Sequence, residues 1–111
     1  MFQTPAYPSR RFTSRVETPE NVWVDWRCAG HEDISRVGNM SLGGLFIETR
    51  ASKVVGSIVK LEFLVQEGQI RADGIVRRIE PGRGLALKFT AVSEQDRPRL
   101  AQLMVRLRQS P

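Results

Sequence analysis

The chain has 111 residues, enough for one small domain with a single core and too few for a separate catalytic domain beside it. Seventeen basic against twelve acidic residues give a formal charge of +5 and a pI near 10.3, which points to an anionic partner: a nucleotide, a nucleic acid or a membrane surface. A single cysteine excludes an internal disulfide, and one histidine with one cysteine excludes a zinc site of the usual ligand count.

Residues 1–14 scatter Phe2, Tyr7 and Phe12 among Pro5, Pro8, Ser9, Arg10 and Arg11 with no helical or strand period. They read as a flexible arginine-containing arm that orders when its arginines meet a ligand. The start lacks a charged segment followed by an apolar one, and no long apolar run follows, so the sequence reads as cytoplasmic, with no membrane insertion. Residues 15–111 form the folded unit.

From Asn21, the residues Val22, Val24, Trp26 and Cys28 alternate with Trp23, Asp25 and Arg27, the period of a half-buried strand. Cys28 lies on the apolar parity and reads as core, and both tryptophans read as core or helix-covered positions. Ala29-Gly30 turns the chain, leaving His31 as an exposed surface residue. A second strand runs from about His31 to Gly38; Ile34 and Val37 fall out of phase, which predicts a bulge near Ser35 or Arg36. Leu45 to Thr49 is a short third strand.

Val59, Leu61, Phe63 and Val65 give the clearest strand signal, and Gln66-Glu67-Gly68 closes a hairpin. The fifth strand, about Gln69 to Ile79, changes parity at Gly74, the expected bulge; its Arg77 and Arg78 are either solvated or extend the positive surface. After Pro81-Gly82-Arg83-Gly84, Leu85, Leu87 and Phe89 make the sixth strand. The period then shifts to 3.6, with Leu100, Leu103, Met104 and Leu107 on one stripe of a helix over about 96–108, and Asp96 as its cap puts Pro98 in the tolerated first turn. The fold class is all-β with a C-terminal helix: a six-stranded antiparallel β-barrel capped by one α-helix.

Two stretches carry chemistry. Arg10, Arg11 and Arg15 supply planar donors suited to phosphate oxygens or the O6/N7 edge of guanine. Asn39-Met40-Ser41-Leu42-Gly43-Gly44 supplies an amide, a hydroxyl and two glycines, which have no Cβ to keep a ligand away and accept positive φ. The pattern R-x-x-x-R (Arg11, Arg15) followed by [DN]-x-S-x-x-G (Asn39, Ser41, Gly44) at the end of the second strand resembles the PilZ domain family, and Gly84-Leu85-Ala86-Leu87-Lys88-Phe89 with the following helix is similar to that family's closing segment.

The resemblance implies a receptor for the bacterial second messenger cyclic di-GMP. Arg10, Arg11, Arg15, Asn39, Ser41, Gly43 and Gly44 would be its ligand-binding residues. Asn39 stands where family members often carry Asp, which exchanges one carboxylate acceptor for a donor. An arginine at the place of Arg10 is associated in the family with a stacked pair of ligand molecules. No other cofactor is implied, and a chain this short would signal through an unidentified downstream protein in motility, biofilm or exopolysaccharide control. The alternatives are a small basic barrel for single-stranded nucleic acid, against which no interleaved row of aromatics is visible, and a ligand-independent PilZ-like pilus or secretion scaffold. An enzyme ranks last, because one histidine, no carboxylate pair at suggestive spacing and no nucleotide-phosphate loop leave no catalytic set.

Overall fold

Alternation builds the barrel. In a computed structural model that describes residues 16–17 and 22–109, Val22, Val24, Trp26 and Cys28 point inward and are buried, while Trp23, Asp25 and Arg27 face out. The strands are β1 (Val16–Glu17), β2 (Trp23–Cys28), β3 (His31–Ser41), β4 (Gly44–Glu48), β5 (Ile58–Leu64), β6 (Ile70–Glu80) and β7 (Gly84–Val92), followed by helix α1 (Arg97–Gln109). All pairings are antiparallel in the order β1-β3-β2-β5-β6-β7-β4, and β4 pairs back onto β3. That last pairing closes a six-stranded barrel, with β1 as a two-residue addition on β3.

The helix closes one opening of the barrel. Leu100, Leu103, Met104 and Leu107 are buried in the same core as Trp26, Leu45, Phe63 and Leu85, each such side chain contributing roughly 2 kcal/mol of transfer free energy. Asp96 caps it as expected: its carbonyl accepts the first helical bond from the Leu100 N–H at 3.0 Å, and Pro98 falls in the first turn. The Asp96 carboxylate, 1% exposed, reaches across to β6. It accepts the Arg71 backbone N–H at 3.0 Å and an Arg99 guanidinium hydrogen bond at 2.8 Å, so one side chain ties helix start to strand.

Several expectations are corrected. The irregularity near Ser35 or Arg36 does not occur; β2 and β3 pair in unbroken register from Trp23↔Arg36 to Cys28↔His31. Ser35 takes an inward position because its Oγ accepts the buried Trp26 indole N–H at 2.9 Å, which leaves Ile34 outside. The bulge is Gly38, where the β3–β4 register passes from Val37↔Ile47 to Asn39↔Phe46. At Gly74 the β6–β7 register does shift, but the extra residue is Thr90 on β7, and Gly74 lies against the Lys88 carbonyl, where a Cβ would not fit. A second shift makes Arg77 an extra residue on β6.

Trp23 is not core. It is 42% exposed on the outer face, opposite Leu64 on β5. The parity of β2 admits only one of two tryptophans three residues apart to the interior, and Trp26 takes that place. His31 is only half-exposed, its ring stacked on Trp26 at 5.2 Å between centroids and 26° between planes.

Candidate functional site

The two bulges shape the site. An inserted residue reverses the in-out alternation of a strand, so two consecutive side chains leave on the same side. At Gly38 the bulge lets Gly38 and Asn39 both stay outside between the buried Val37 and Met40. At Arg77 it sends Arg77 and Arg78 both outward, after which Ile79 returns to pack on the core. The outer wall of β3, β4, β7 and β6 then carries two rows of register neighbours: Asn39, Phe46, Ala86 and Arg78 in one, Ser41, Gly44, Lys88 and Ile75 in the other.

A cleft of about 540 Å³ runs over these rows, lined by Ser41, Gly43, Arg77, Arg78, Ala86, Leu87 and Lys88. A hollow of about 120 Å³ continues it over Asn39, Phe46, Glu80 and Arg83 and shares Arg78 and Ala86 with it. Small residues keep the floor low. Phe46 lies outside the core cluster although it is buried, and its ring rests over Gly84, where an added Cβ would strike both the ring and the Ile47 carbonyl.

The turn between β3 and β4 holds the polar groups. Ser41 and Gly44 pair in register, so Leu42-Gly43 is a two-residue connection. The Gly43 N–H donates to Ser41 Oγ at 3.1 Å, and the Gly43 carbonyl accepts the Phe89 N–H at 2.9 Å, which fastens the turn to β7. Ser41 is 2% exposed yet lines the cleft, and its hydroxyl, having accepted one bond, keeps a proton to donate. The positive φ anticipated for the glycines is absent at both positions. Gly44 is required by strand pairing, because a Cβ there would collide with the Leu87 carbonyl, whereas a Cβ on Gly43 would meet only Ser41 Oγ at 3.7 Å.

Charge in the larger cleft is one-sided: Arg77, Arg78 and Lys88 line it with no acidic side chain. Glu80 is shared by Arg78, at 2.9 Å, and Arg83, at 3.0 Å. Arg77 and Lys88 are exposed and form no ion pair among the described residues. Sequence reasoning singled out neither as a ligand residue. The signal was present: Lys88 follows the inward Leu85 and Leu87 on the outward parity, and Val76 and Ile79, three apart on a strand, require one extra residue between them.

The expected arginines Arg10, Arg11 and Arg15 lie outside the described residues. Their chain continues into β1, where Val16 pairs with Met40 and Glu17 with Asn39. The residue that follows Arg15 therefore stands one register step from both Asn39 and Ser41. Among the described residues no group of three or more histidine, cysteine, aspartate or glutamate side chains could hold a metal ion, and no helix is long and apolar enough to cross a membrane.

No curated protein matches the sequence. Among solved structures, the motility inhibitor MotI/DgrA of Bacillus subtilis superposes with a TM-score of 0.70 at 23% identity, over 88% of this chain and 53% of that one. MrkH, described as a c-di-GMP-dependent transcription regulatory factor, gives 0.71 at 14% identity over 89% and 51%; in another structure, apo MrkH is assigned to K. pneumonia. The PilZ domain of CeSA from a cellulose-synthesizing bacterium gives 0.66 at 18% identity, over 87% of this chain and all of that one. The chain thus spans about half the length of MotI and MrkH, and these likenesses establish the fold. The model of the PilZ domain matches residues 9–106, a span that holds both motifs and all seven strands, and the chain belongs to the PilZ domain family.

Proposed function

We propose that this chain is a receptor for cyclic di-GMP, without catalytic activity of its own, that binds the messenger on the outer wall of the barrel and passes the signal to a partner protein in the cytoplasm. The observation that carries the reading is the register of β1 on β3: Val16 opposite Met40 and Glu17 opposite Asn39 deliver the chain that carries Arg10, Arg11 and Arg15 to the strand that carries Asn39 and Ser41. In this reading the two motifs, two dozen residues apart in sequence, act together on one surface. A cyclic dinucleotide has two phosphates and two guanines, and this surface offers what each requires: guanidinium groups for phosphate or guanine O6/N7, an amide for the base edge and a hydroxyl for phosphate.

The barrel half of the site is fixed by strand pairing, so Ser41 and Gly43 are in place before ligand arrives. In this reading the arm supplies the rest: Arg11 and Arg15 close on a ligand lodged against Ser41, and the ordering of the arm is the surface change that a partner recognises. Calorimetric titration of the chain with cyclic di-GMP, GMP and GTP tests it. The cyclic dinucleotide binds in the micromolar range or tighter and the mononucleotides compete poorly; a flat titration well above that range overturns the reading. Equal binding of single-stranded RNA would move the assignment to a nucleic-acid barrel.

A further inference from the structure

Arg77 and Lys88 remain unexplained by either motif. Both line the 540 Å³ cleft with Ser41 and Gly43, both are exposed, and neither is neutralised by an acidic side chain among the described residues. Arg78 beside them differs, being held by Glu80 at 2.9 Å. Two unneutralised cations on neighbouring strands repel one another, and nothing in the barrel's packing needs either charge, since each Cα sits on the outer face. The bulge at Arg77 adds to this. A regular strand would turn either Arg77 or Arg78 inward, whereas the inserted residue sends both out onto the same wall.

Resting on the receptor reading above, we propose that Arg77 and Lys88 form a phosphate subsite built into the barrel wall, which holds one phosphate of the ligand from the side opposite the arm. Ser41 Oγ, with its proton free to donate, completes this subsite from β3. A phosphodiester oxygen seated there receives two charge-assisted contacts and one neutral hydrogen bond, and the pair's mutual repulsion is relieved when the anion arrives. The barrel alone thus gives the ligand a defined anchor before the arm's arginines take part. Because the role is to meet a point of negative charge, lysine serves at position 77 as well as arginine, which would not hold for a planar contact to a guanine edge.

The test is calorimetry with cyclic di-GMP on the full chain and on Arg77→Ala, Arg77→Lys, Lys88→Met, Arg77→Ala/Lys88→Met and Arg108→Ala. Arg77→Ala and Lys88→Met each weaken binding about tenfold, and the double variant loses on the order of a hundredfold. Arg77→Lys stays within about threefold of the parent, and Arg108→Ala, at the far end of the helix, is unchanged. The parent's affinity falls more steeply with added salt than the double variant's. A double variant that binds like the parent, or an Arg77→Lys that loses as much as Arg77→Ala, overturns the subsite while leaving the receptor reading intact. A parent chain that binds no cyclic di-GMP overturns the receptor reading and the subsite with it. Circular-dichroism melting of each variant, expected to match the parent at these exposed positions, separates lost binding from lost fold.

Discussion

Arg106 grips Glu67 with two nitrogens, Nε at 2.6 Å from Oε2 and Nη2 at 3.1 Å from Oε1, and so joins helix α1 to the turn between β5 and β6. The Glu67 side chain is nearly buried, and the hydrogen bonds from Arg106 hold its carboxyl below the ordinary value of 4.5 although burial pushes the other way. A carboxyl held down in the folded protein and released to its ordinary value on unfolding contributes its full share of stability above that value. The share is lost as the pH falls through the lower folded value. Glu67→Gln should cost about 1–2 kcal/mol at neutral pH. Urea midpoints for variant and parent should converge as the pH drops below 4.5; a gap that stays constant into acid would mean that the charge on Glu67 plays no part.

Asp96 is the second tie between helix and barrel. Asp96→Ala leaves the Arg71 N–H without its acceptor and frees Arg99, for a loss on the order of 2–3 kcal/mol, tempered because Arg99 is part-exposed. Hydrogen exchange in such a variant should quicken across the first turn of α1 and at Arg71 before it does so elsewhere in the barrel.

The neighbouring glycines of the turn should respond in opposite ways. Gly44→Ala places a methyl against the Leu87 carbonyl, within the β4–β7 strand pair, and should destabilise by roughly 2–4 kcal/mol or abolish folding. Gly43→Ala meets only ordinary contact with Ser41 Oγ and should melt within a few degrees of the parent. Its effect belongs to the ligand: a methyl at the cleft lining should weaken cyclic di-GMP binding without a change in thermal midpoint.

Arginine truncations in the arm provide the sharpest test of the receptor reading. Arg11→Ala and Arg15→Ala should each weaken cyclic di-GMP binding by about 2 kcal/mol or more, as charge-assisted contacts are lost. Deleting residues 1–9 should leave binding nearly intact, whereas deletion through Arg11 should abolish it with the barrel still folded. Arg108→Ala supplies the reference, and an equal effect from all three substitutions would indicate attraction by net charge alone. NMR order parameters for residues 9–15 without and with ligand would test the arm mechanism separately, since equal rigidity in both states is incompatible with it.

The sequence made the barrel legible because its signal is a period. Val59, Leu61 and Phe63, or Leu85 and Leu87, need no neighbour to declare which face they bury. What alternation concealed were positions where a partner across the sheet decides the outcome. Ile34 and Val37 suggest a bulge near Ser35, but the register is unbroken there and Ser35 turns inward, where its Oγ accepts the Trp26 indole N–H. Trp23 looked inward by hydrophobicity, but it shares a strand with Trp26 at odd spacing. Gly38 and Arg77 each insert a residue whose effect shows only against the register of the adjoining strand. Of the residues that line the cleft, Ser41 and Gly43 belong to a short motif visible in the sequence, while Arg77 and Lys88 come together only through the pairing of β6 with β7.

The Leu42-Gly43 turn has a further consequence for how this chain can vary. It joins the two strands whose pairing seals the cylinder, and Leu45 and Ile47, both fully buried, follow it at a spacing of two. One residue inserted there would carry both leucine and isoleucine to the outside and bring Phe46 within, undoing the seal along with Ser41's place on the wall. The connector to β5 is freer between Lys53 and Val55, which lie outside any strand, because the chain rejoins the sheet only at Gly56 and Ser57 through their bonds to Val76. Length variation in this barrel therefore has room there, and the distance along the chain from Asn39 to Gly44 is tied to closure of the cylinder itself.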